Sequence, residues 1–428
     1  MNWRIPYRMI GTALLAVCAL AAAPALAADE ITADNWGEKV GFKPDLSVLK
    51  LPKGTLLDKT NAKEAEGLLG PGIKLLVEKY ALTMKLRDYA HIHPSLGYIE
   101  ATNKHRGKSK ILDIGKETRK VGMAGYVAGL PFPNPQNGPE VGWNYQYSYS
   151  GDDGDLFYDV LWVSASKGVE HTEEWRWLFI MRTLNRTDID PKPELPGFKE
   201  KRLQYVSMTY ALAPYDKKGF GALYSRSIDP LDQQGHIYVP AMRRVLRNTF
   251  GTRGDTWNAT DMLYEDVRGF MGYPEWMNYK LLEKKNMLFS VHSGAKFGKG
   301  STEKNFDLKT WPHWNPRVEW ELRPVYVVEM TPKFSDYPYS KMITYFDAET
   351  GLINAKEAYD KKGLLWKIMF ACWAASPDMN KLPADYGPFL LVDVQADHAS
   401  AINFTKSLNN RNPDPNQFTL ANLRKRGT

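Results

Sequence analysis

The hydrophobic positions in the first quarter of the chain recur with a helical period. In the segment PGIKLLVEKYALTMKL, at residues 71–86, the apolar side chains return at the spacing of one helical face, and a proline suits its first turn. The face comprises Ile73, Leu76, Val77 and Tyr80. The pattern therefore predicts a helix over 71–86 within a helical region at 58–90. This helix either packs into the core or covers a cavity as a lid.

From about residue 143 onward the period changes to two, which is typical of strands. The segment WNYQYSY is interpreted as the first strand, with aromatic side chains on one face and polar side chains on the other. The aromatic face would comprise Trp143, Tyr145, Tyr147 and Tyr149. In a second predicted strand, at 174–182, Trp175 and Trp177 share one side. Further strands are predicted at 155–163, 203–210, 317–330, 341–347, 365–373 and 388–395.

A proline-rich hook precedes the aromatic segment. Its sequence, GLPFPNPQNG, fixes the backbone and denies it ladder hydrogen bonds, so we expect it to end the helical region and to orient the first strand. The aromatic face behind it is either plain core or the wall of a cavity for a hydrophobic ligand, because Tyr and Trp each offer apolar area and one polar group.

Short turns such as GDDG and DKKG separate the predicted strands, which favours antiparallel pairing. The fold class predicted is α+β and mainly antiparallel β. We expect a large, curved, partly open, barrel-like sheet over 143–395 with helices on its concave side. An open sandwich of two sheets is the alternative. Since no linker or repeat interrupts the pattern, residues 28–428 are predicted to form a single domain.

The first 27 residues have the pattern of a secretory signal peptide. Two arginines precede an apolar run at 9–23, which is too short to span a bilayer comfortably, and Ala-Leu-Ala at 25–27 offers a cleavage site. Val17 disfavours lipidation of Cys18, because a small residue is required there. The sequence therefore predicts export to the periplasm, with association with the outer membrane as a further alternative.

Cysteine content and charge narrow the function classes. Removal of residues 1–27 leaves Cys372 as one thiol in an apolar segment, so an intrachain disulfide is excluded and a buried thiol is expected. The formal charge of +7 falls to +5 when Arg4 and Arg8 are removed. This modest excess in an exported chain does not predict nucleic-acid binding, whereas attraction to anionic lipid or an acidic partner fits it.

Signals for catalysis are weak. The sequence contains neither G-x-S-x-G nor H-E-x-x-H, and we predict no cofactor, no metal site and no enzymatic activity. An enzyme acting on a lipid or glycan would need a cluster of polar groups. The candidates for such a cluster are His91 with His93, or Asp393 with Asp397 and His398. Ordinary surface and capping roles are the alternative for His91 and His93, and a satisfied polar edge after the apolar strand GPFLLVDV is the alternative for the other three.

A basic segment, VPAMRRVLRN, carries Arg243, Arg244 and Arg247. On a strand, Arg243 and Arg247 would share one side. They form either a solvated exterior or a contact for an anionic headgroup or a partner protein.

Several of these segments together resemble the domain-of-unknown-function family 1329, whose members are often described as outer-membrane lipoprotein-sorting proteins. The motifs occur in the family's order and span about 60–428. They are GLPFPNPQNGPEVGWNYQYSY, IYVPAMRRVLRN, EDVRGFMGYPEWMNYKLL, RVEWELRPVYVVEMTP, SKMITYFDAETGLINAKEAYDKKGLLWK and FTLANLRKRG. The resemblance implies a fold similar to that of the Lol lipoprotein carriers, and it carries over no catalytic residue.

The resemblance also implies partners, namely an inner-membrane transporter of the resistance-nodulation-division type and an outer-membrane protein. The leading hypothesis is a periplasmic carrier or adaptor for a hydrophobic small molecule or acyl chain. The predicted cavity residues are Trp143, Tyr145, Tyr147, Tyr149, Trp175, Trp177, Trp276, Tyr279 and Trp320. The alternatives are a lipid- or glycan-acting enzyme, or a structural bridge between the membranes that binds no ligand.

Overall fold

The computed structural model describes residues 30–230, 234–248, 254–374 and 385–426. The predicted signal peptide at 1–27, including Cys18, lies outside the described residues. No helix in the described ranges is both long enough and apolar enough to cross a membrane.

Strands dominate the described chain. The ones that join the main sheet are β1 Leu56–Leu57, β2 Met84–Leu86, β5 Asp153–Ser164, β6 Gly168–Ile180, β7 Leu203–Ala213, β8 Gly221–Ser227, β9 Gln234–Val239, β10 Arg244–Asn248, β11 Met277–Phe289, β14 Glu319–Pro332, β15 Lys341–Asp347, β16 Ile353–Tyr359, β17 Leu365–Ala374, β18 Asp385–Asp393 and β19 His398–Asn409. Two short pairs lie outside it, β3 Lys110–Ile111 with β4 Met123–Ala124, and β12 Phe306–Asp307 with β13 Asn315–Pro316.

The main sheet contains fifteen strands in the order β1-β2-β14-β15-β16-β17-β18-β19-β5-β6-β7-β8-β9-β10, and β11 pairs with β14. Neighbouring strands are antiparallel except β2 and β14. Among the described residues the sheet does not close, because β10 and β11 pair with one neighbour each. The prediction of a mainly antiparallel, open, barrel-like sheet is confirmed, and one sheet forms in place of a two-sheet sandwich.

Helices are short. The α-helices are α1 Trp36–Val40, α2 Pro71–Tyr80, α3 Leu96–His105, α4 Gly138–Gln146, α5 Thr302–Asn305 and α6 Leu420–Arg426. The 3-10 helices are Leu46–Val48, Ala62–Leu68, Pro240–Met242, Trp257–Ala259, Tyr264–Gly269, Pro274–Trp276 and Pro415–Gln417. The predicted helix over 71–86 exists but ends at Tyr80, because Ala81 adopts a left-handed conformation with φ of 53° and the chain then enters β2.

The strand predicted for the aromatic segment is wrong, since residues 138–146 form α4. Asn137 caps this helix, because its side chain accepts a hydrogen bond from the Glu140 amide at 3.0 Å. The hook is held to the helix by Asn144, whose side-chain amide exchanges two hydrogen bonds with the backbone of Phe132, at 3.0 and 2.7 Å. Trp143 to Tyr149 therefore do not present one aromatic strand face.

Both faces of the sheet are buried. On β17, Met369, Ala371 and Trp373 belong to one hydrophobic cluster, whereas Ile368 and Phe370 belong to another. Because successive side chains of a strand point to opposite faces, the two clusters lie on opposite sides of the sheet. We call them the first and the second cluster.

Helix α2 packs into the second cluster through Ile73, Leu76, Val77 and Tyr80. These are the side chains that the sequence places on one helical face, and each is almost fully buried. The interpretation of this helix as a packed amphipathic helix is therefore confirmed. A lid over a ligand cavity is not its role, because the cavity described below lies on the side of the first cluster and no α2 residue lines it.

Candidate functional site

A cavity of about 160 Å³ opens on the side of the first cluster. Its sheet wall comes from central strands, chiefly Tyr158, Trp177, Tyr205, Trp373, Phe389 and Phe404. The chain between β10 and β11 covers it with Trp257, Met262, Tyr264 and Val267. The cavity thus lies between a strand layer and an irregular cover, and it opens to solvent.

The walls of this larger cavity are mainly aromatic. The ring of Tyr386 lies 4.9 Å from that of Phe404 and 5.6 Å from that of Trp373, measured between ring centroids. The Tyr158 hydroxyl is hydrogen-bonded to Thr209 Oγ1 at 3.1 Å, and burial raises the pKa of Tyr158 and of Tyr205. Both phenols are therefore neutral at physiological pH, and the space suits an apolar guest.

A smaller cavity, with a volume of about 30 Å³, adjoins the larger one, because Tyr205, Arg268 and Met271 line both. Its lining combines apolar side chains with polar ones and includes two more arginines, Arg182 and Arg226. The side chains of these two are 4% and 5% exposed, so their charges are almost fully buried. No aspartate or glutamate lines this smaller cavity.

All three arginines contact one stretch of chain, residues 146–150, which follows α4. Arg182 donates to the carbonyl oxygens of Tyr147 and Ser148 at 2.8 and 2.6 Å. Arg226 donates to Gln146 Oε1 at 3.0 Å, and Arg268 donates to Ser150 Oγ at 2.6 Å. The Nε of each of these arginines has no hydrogen-bond partner. The sequence hypothesis did not include them.

Few of the predicted aromatic residues line a cavity. Trp177 lines the larger cavity and Tyr145 the smaller one. Trp175 packs in the first cluster against Trp257, and Trp320 packs against Phe370 in the second cluster, on the far side of the sheet.

The other predicted aromatic residues are held in the core around α4. Trp143 stacks on Tyr147 at 6.1 Å, and the Tyr149 hydroxyl donates to Asp188 Oδ2 at 2.7 Å. Trp276 packs against Tyr273 at 4.9 Å. The ring of Tyr279 lies against Gly142 of α4, where a Cβ atom would come within 2.6 Å of it. Tyr279 joins β11 to α4, and none of these five side chains lines the larger cavity.

Arg243, Arg244 and Arg247 lie at the edge of the sheet. Arg243 precedes β10 in a left-handed conformation with φ of 49°, so the predicted alternation with Arg247 along one strand is wrong. All three side chains are exposed, and none lines either cavity. Their contact with a headgroup or a partner protein stays a prediction.

The residues considered for catalysis have structural partners. His91 contacts Glu349, which raises the pKa of this histidine. Asp393 accepts a hydrogen bond from Trp366 Nε1 at 2.7 Å, and Asp397 accepts from Lys79 and Tyr80. His398 Nδ1 lies 2.7 Å from Asp261 Oδ2. Neither His93 nor any of these four groups lines a cavity.

Two further chemical questions concern metals and the thiol. In the part of the chain that the structure describes, no three His, Cys, Asp or Glu side chains are placed to hold a metal ion. Cys372 is buried, as the sequence predicts, and burial raises its pKa to about 12. A thiol of this kind is a poor nucleophile, because the thiolate is the reactive form.

The comparison with protein families gives one match, to the family described as "Protein of unknown function (DUF1329)", over residues 56–424. The chain belongs to this family. A further DUF1329 member, from Desulfovibrio piger, has a crystal structure with 15% identity that covers 67% of this chain and 97% of its own, with a TM-score of 0.47. A putative outer membrane lipoprotein-sorting protein domain from Vibrio parahaemolyticus is similar at 15% identity, 67% and 98% coverage, and a TM-score of 0.47.

Two more relatives extend the comparison. A LolA superfamily protein from Nitrosomonas europaea is similar at 9% identity over 67% of this chain and 99% of its own, with a TM-score of 0.41. A curated relative, "Uncharacterized protein PA3922" of Pseudomonas aeruginosa, is 23% identical over 317 residues. That match covers 72% of this chain and 66% of the relative, so this DUF1329 chain spans just under two thirds of the relative's length.

Proposed function

We propose that the protein is a periplasmic carrier for a hydrophobic ligand, a lipid or an acyl chain, which it holds without altering. The observation that supports this most directly is the larger cavity, with aromatic walls and an opening to solvent on one face of an unclosed sheet. The signal-peptide pattern at 1–27 supports export to the periplasm. We propose an inner-membrane transporter of the resistance-nodulation-division type and an outer-membrane protein as its partners, as the family resemblance implies.

The volume of the cavity limits what it holds. An apolar protein cavity of about 150 Å³ accommodates benzene, so a cavity of about 160 Å³ accommodates a segment of about six carbon atoms. At about 0.8 kcal/mol per methylene, this segment contributes about 5 kcal/mol before ordering costs. Apolar burial alone therefore gives a dissociation constant near the millimolar range. Such weak retention suits a carrier that releases its guest, and a longer chain would extend through the opening.

The proposal is tested on protein purified from its native periplasm. We expect native mass spectrometry and solvent extraction to detect a co-purifying lipid, and a fluorescent fatty acid to bind saturably. Phenylalanine in place of Ala371, which lines the larger cavity, should lower this affinity at least tenfold. The matched control is Ala396→Phe, which makes the same change at an exposed turn. Absence of both co-purifying lipid and saturable binding would overturn the carrier function.

A further inference from the structure

The three arginines beside the larger cavity carry positive charges that no carboxylate of the cavity lining neutralises. Arg182, Arg226 and Arg268 bring three positive charges to a space of about 30 Å³. A buried charge is costly unless it is paired and hydrogen-bonded. Arg182 and Arg226 donate to backbone carbonyl oxygens, and Arg268 donates to serine hydroxyls. Each of these bonds satisfies a donor but supplies no negative charge.

Neighbouring carboxylates form no ion pair with these arginines, although Glu275 keeps one buried oxygen, Oε2, without a hydrogen-bond partner. Asp152 accepts backbone hydrogen bonds from Asp188 and Ile189, both at 2.8 Å, and Glu275 accepts one from Gly122 at 2.9 Å. Burial lowers the pKa of Arg182, whereas Tyr126, Tyr98 and, less strongly, Asp152 and Asp188 raise it as neighbouring groups, with a net rise. In the described chain, no carboxylate oxygen comes within ion-pair distance of the three arginines.

Another buried arginine of this protein has its positive charge neutralised by carboxylates. Arg323 is fully buried on β14 and pairs with Asp347 at 2.9 Å, with Glu349 at 2.5 Å and with Glu321 at 3.8 Å. The arginines of the smaller cavity have no such partners. The C-terminal end of α4 offsets part of their charge, but a helix end carries only about half an elementary negative charge. Net positive charge is therefore left at the smaller cavity for an anionic ligand to balance.

We propose that the smaller cavity binds the carboxylate headgroup of the ligand whose apolar chain lies in the larger cavity. This inference rests on the carrier function proposed above and names the ligand class, a monoanionic amphiphile of the fatty-acid type. Arg268 lines both cavities, so it stands where the headgroup would meet the chain. One water needs about 10–15 Å³ of such space, so about 30 Å³ admits a group of two or three heavy atoms, such as a carboxylate. Arginine binds carboxylates through strong, charge-assisted hydrogen bonds.

The test compares two probes of equal chain length on the mature, delipidated protein. Dodecanoate carries the carboxylate and dodecanol does not, and calorimetry or displacement of a fluorescent fatty acid gives both affinities. We expect dodecanoate to bind roughly 10- to 100-fold more tightly, the range for a hydrogen bond to a charged group. Equal affinities would overturn the headgroup inference while leaving the carrier function standing. If neither probe binds, both the carrier function and the inference fail.

A variant locates the effect. Arg268→Gln removes the charge at the junction of the cavities, and its affinity for dodecanoate should fall to that for dodecanol. The matched control, Arg119→Gln, makes the same change at an exposed site outside both cavities and should keep the preference for dodecanoate. Full retention of the preference in Arg268→Gln would count against the inference. The comparison of probes on the unaltered protein decides it even if the variant does not fold.

Further probes separate a lipid headgroup from a free anion. Dodecyl phosphate that binds as tightly as dodecanoate would support the oxyanion site and extend it to lipid phosphates. A different outcome is that inorganic phosphate or acetate raises the melting temperature while dodecanoate and dodecanol bind equally well. That result would assign the smaller cavity to a free anion and overturn the headgroup role.

Discussion

The two faces of the same sheet are built differently. On the face of the second cluster, α2 and the loops around Trp314 cover the strands closely, and Trp320 is fully buried against Phe370. On the face of the first cluster, the irregular chain at 254–276 covers the strands and leaves a cavity beside Trp177. Both faces have the same alternation of apolar residues. The difference lies in what covers them, because a helix with an apolar stripe fills the groove of a sheet and an irregular cover does not.

The largest expected effect concerns the two tryptophans. Trp320→Ala should lower the free energy of unfolding by about 3–5 kcal/mol, because it leaves a cavity in a packed core. Trp177→Ala should cost less, about 1–3 kcal/mol, since this ring already borders the larger cavity. Guanidinium denaturation of both variants measures the difference. Equal losses would show that the two faces are packed alike.

Enlarging one alanine on each face of the sheet tests the same difference in packing between the two faces. Ala355 is 2% exposed in the second cluster, whereas Ala371 lines the larger cavity. Ala355→Phe should overpack its face and destabilise the protein by about 1–3 kcal/mol. Ala371→Phe should change stability by less than about 1 kcal/mol, because the ring enters available space. A melting temperature that falls more for Ala371→Phe than for Ala355→Phe would contradict the assignment of the cavity.

The smallest effect concerns how the cover is tied to the sheet. His398 at the start of β19 contacts Asp261 of the cover and Glu170 of β6, and these carboxylates raise its pKa. Since the folded-state pKa exceeds the unfolded value of about 6.5, this stabilisation is complete below about pH 6.5. It disappears as the pH rises through the folded-state pKa.

The change is His398→Gln, measured by urea denaturation at pH 6 and at pH 9. The loss of stability relative to the unaltered protein should be larger at pH 6, by up to about 1 kcal/mol. A loss that is the same at both pH values would mean that the imidazole contributes as a neutral hydrogen-bonding group only.

Many strands of the sheet could be predicted from sequence, because apolar residues that recur at every second position indicate a strand with one buried face. β15 at 341–347 has the predicted bounds, and β5, β7, β14, β17 and β18 lie within a few residues of theirs. β8, β9, β11, β16 and β19 were not predicted. β16 buries Asn354, Lys356 and Glu357, and β19 buries Asn403 and Ser407, so polar residues interrupt the apolar pattern of both strands.

The aromatic segment was predicted wrongly although a helix-start signal was present. Asn137 and Glu140 have the spacing of a capping box, and Pro139 suits the first turn. The alternation of aromatic residues favoured the strand prediction over that signal. The aromatic side chains alternate because each contacts a different neighbour of α4 in the folded protein. Tyr145 reaches the carbonyl oxygen of Phe270, and Tyr149 reaches Asp188. These contacts involve residues that are distant in sequence, so they produce no periodic pattern in the local sequence.

The arginine cluster could not be found from sequence for a related reason. Arg182 follows β6, Arg226 lies on β8 and Arg268 lies in a 3-10 helix, so more than forty positions separate each from the next. The basic segment with three arginines within five positions, 243–247, attracted the prediction instead. Arginines that are close in sequence indicate a charged, exposed surface. Arginines that are distant in sequence come together only through the pairing register of the strands, which the sequence does not display.

The unclosed sheet has outer strands whose free backbone groups could serve as templates for a neighbouring copy of the chain. β10 carries exposed Arg244 and Arg247, and β11 carries Lys280, Lys284 and Lys285 along its length. β1 is only two residues long. Like charges on the edges repel an approaching copy, and a very short strand offers little to extend. An open sheet of this kind is therefore compatible with a chain that resists intermolecular sheet growth.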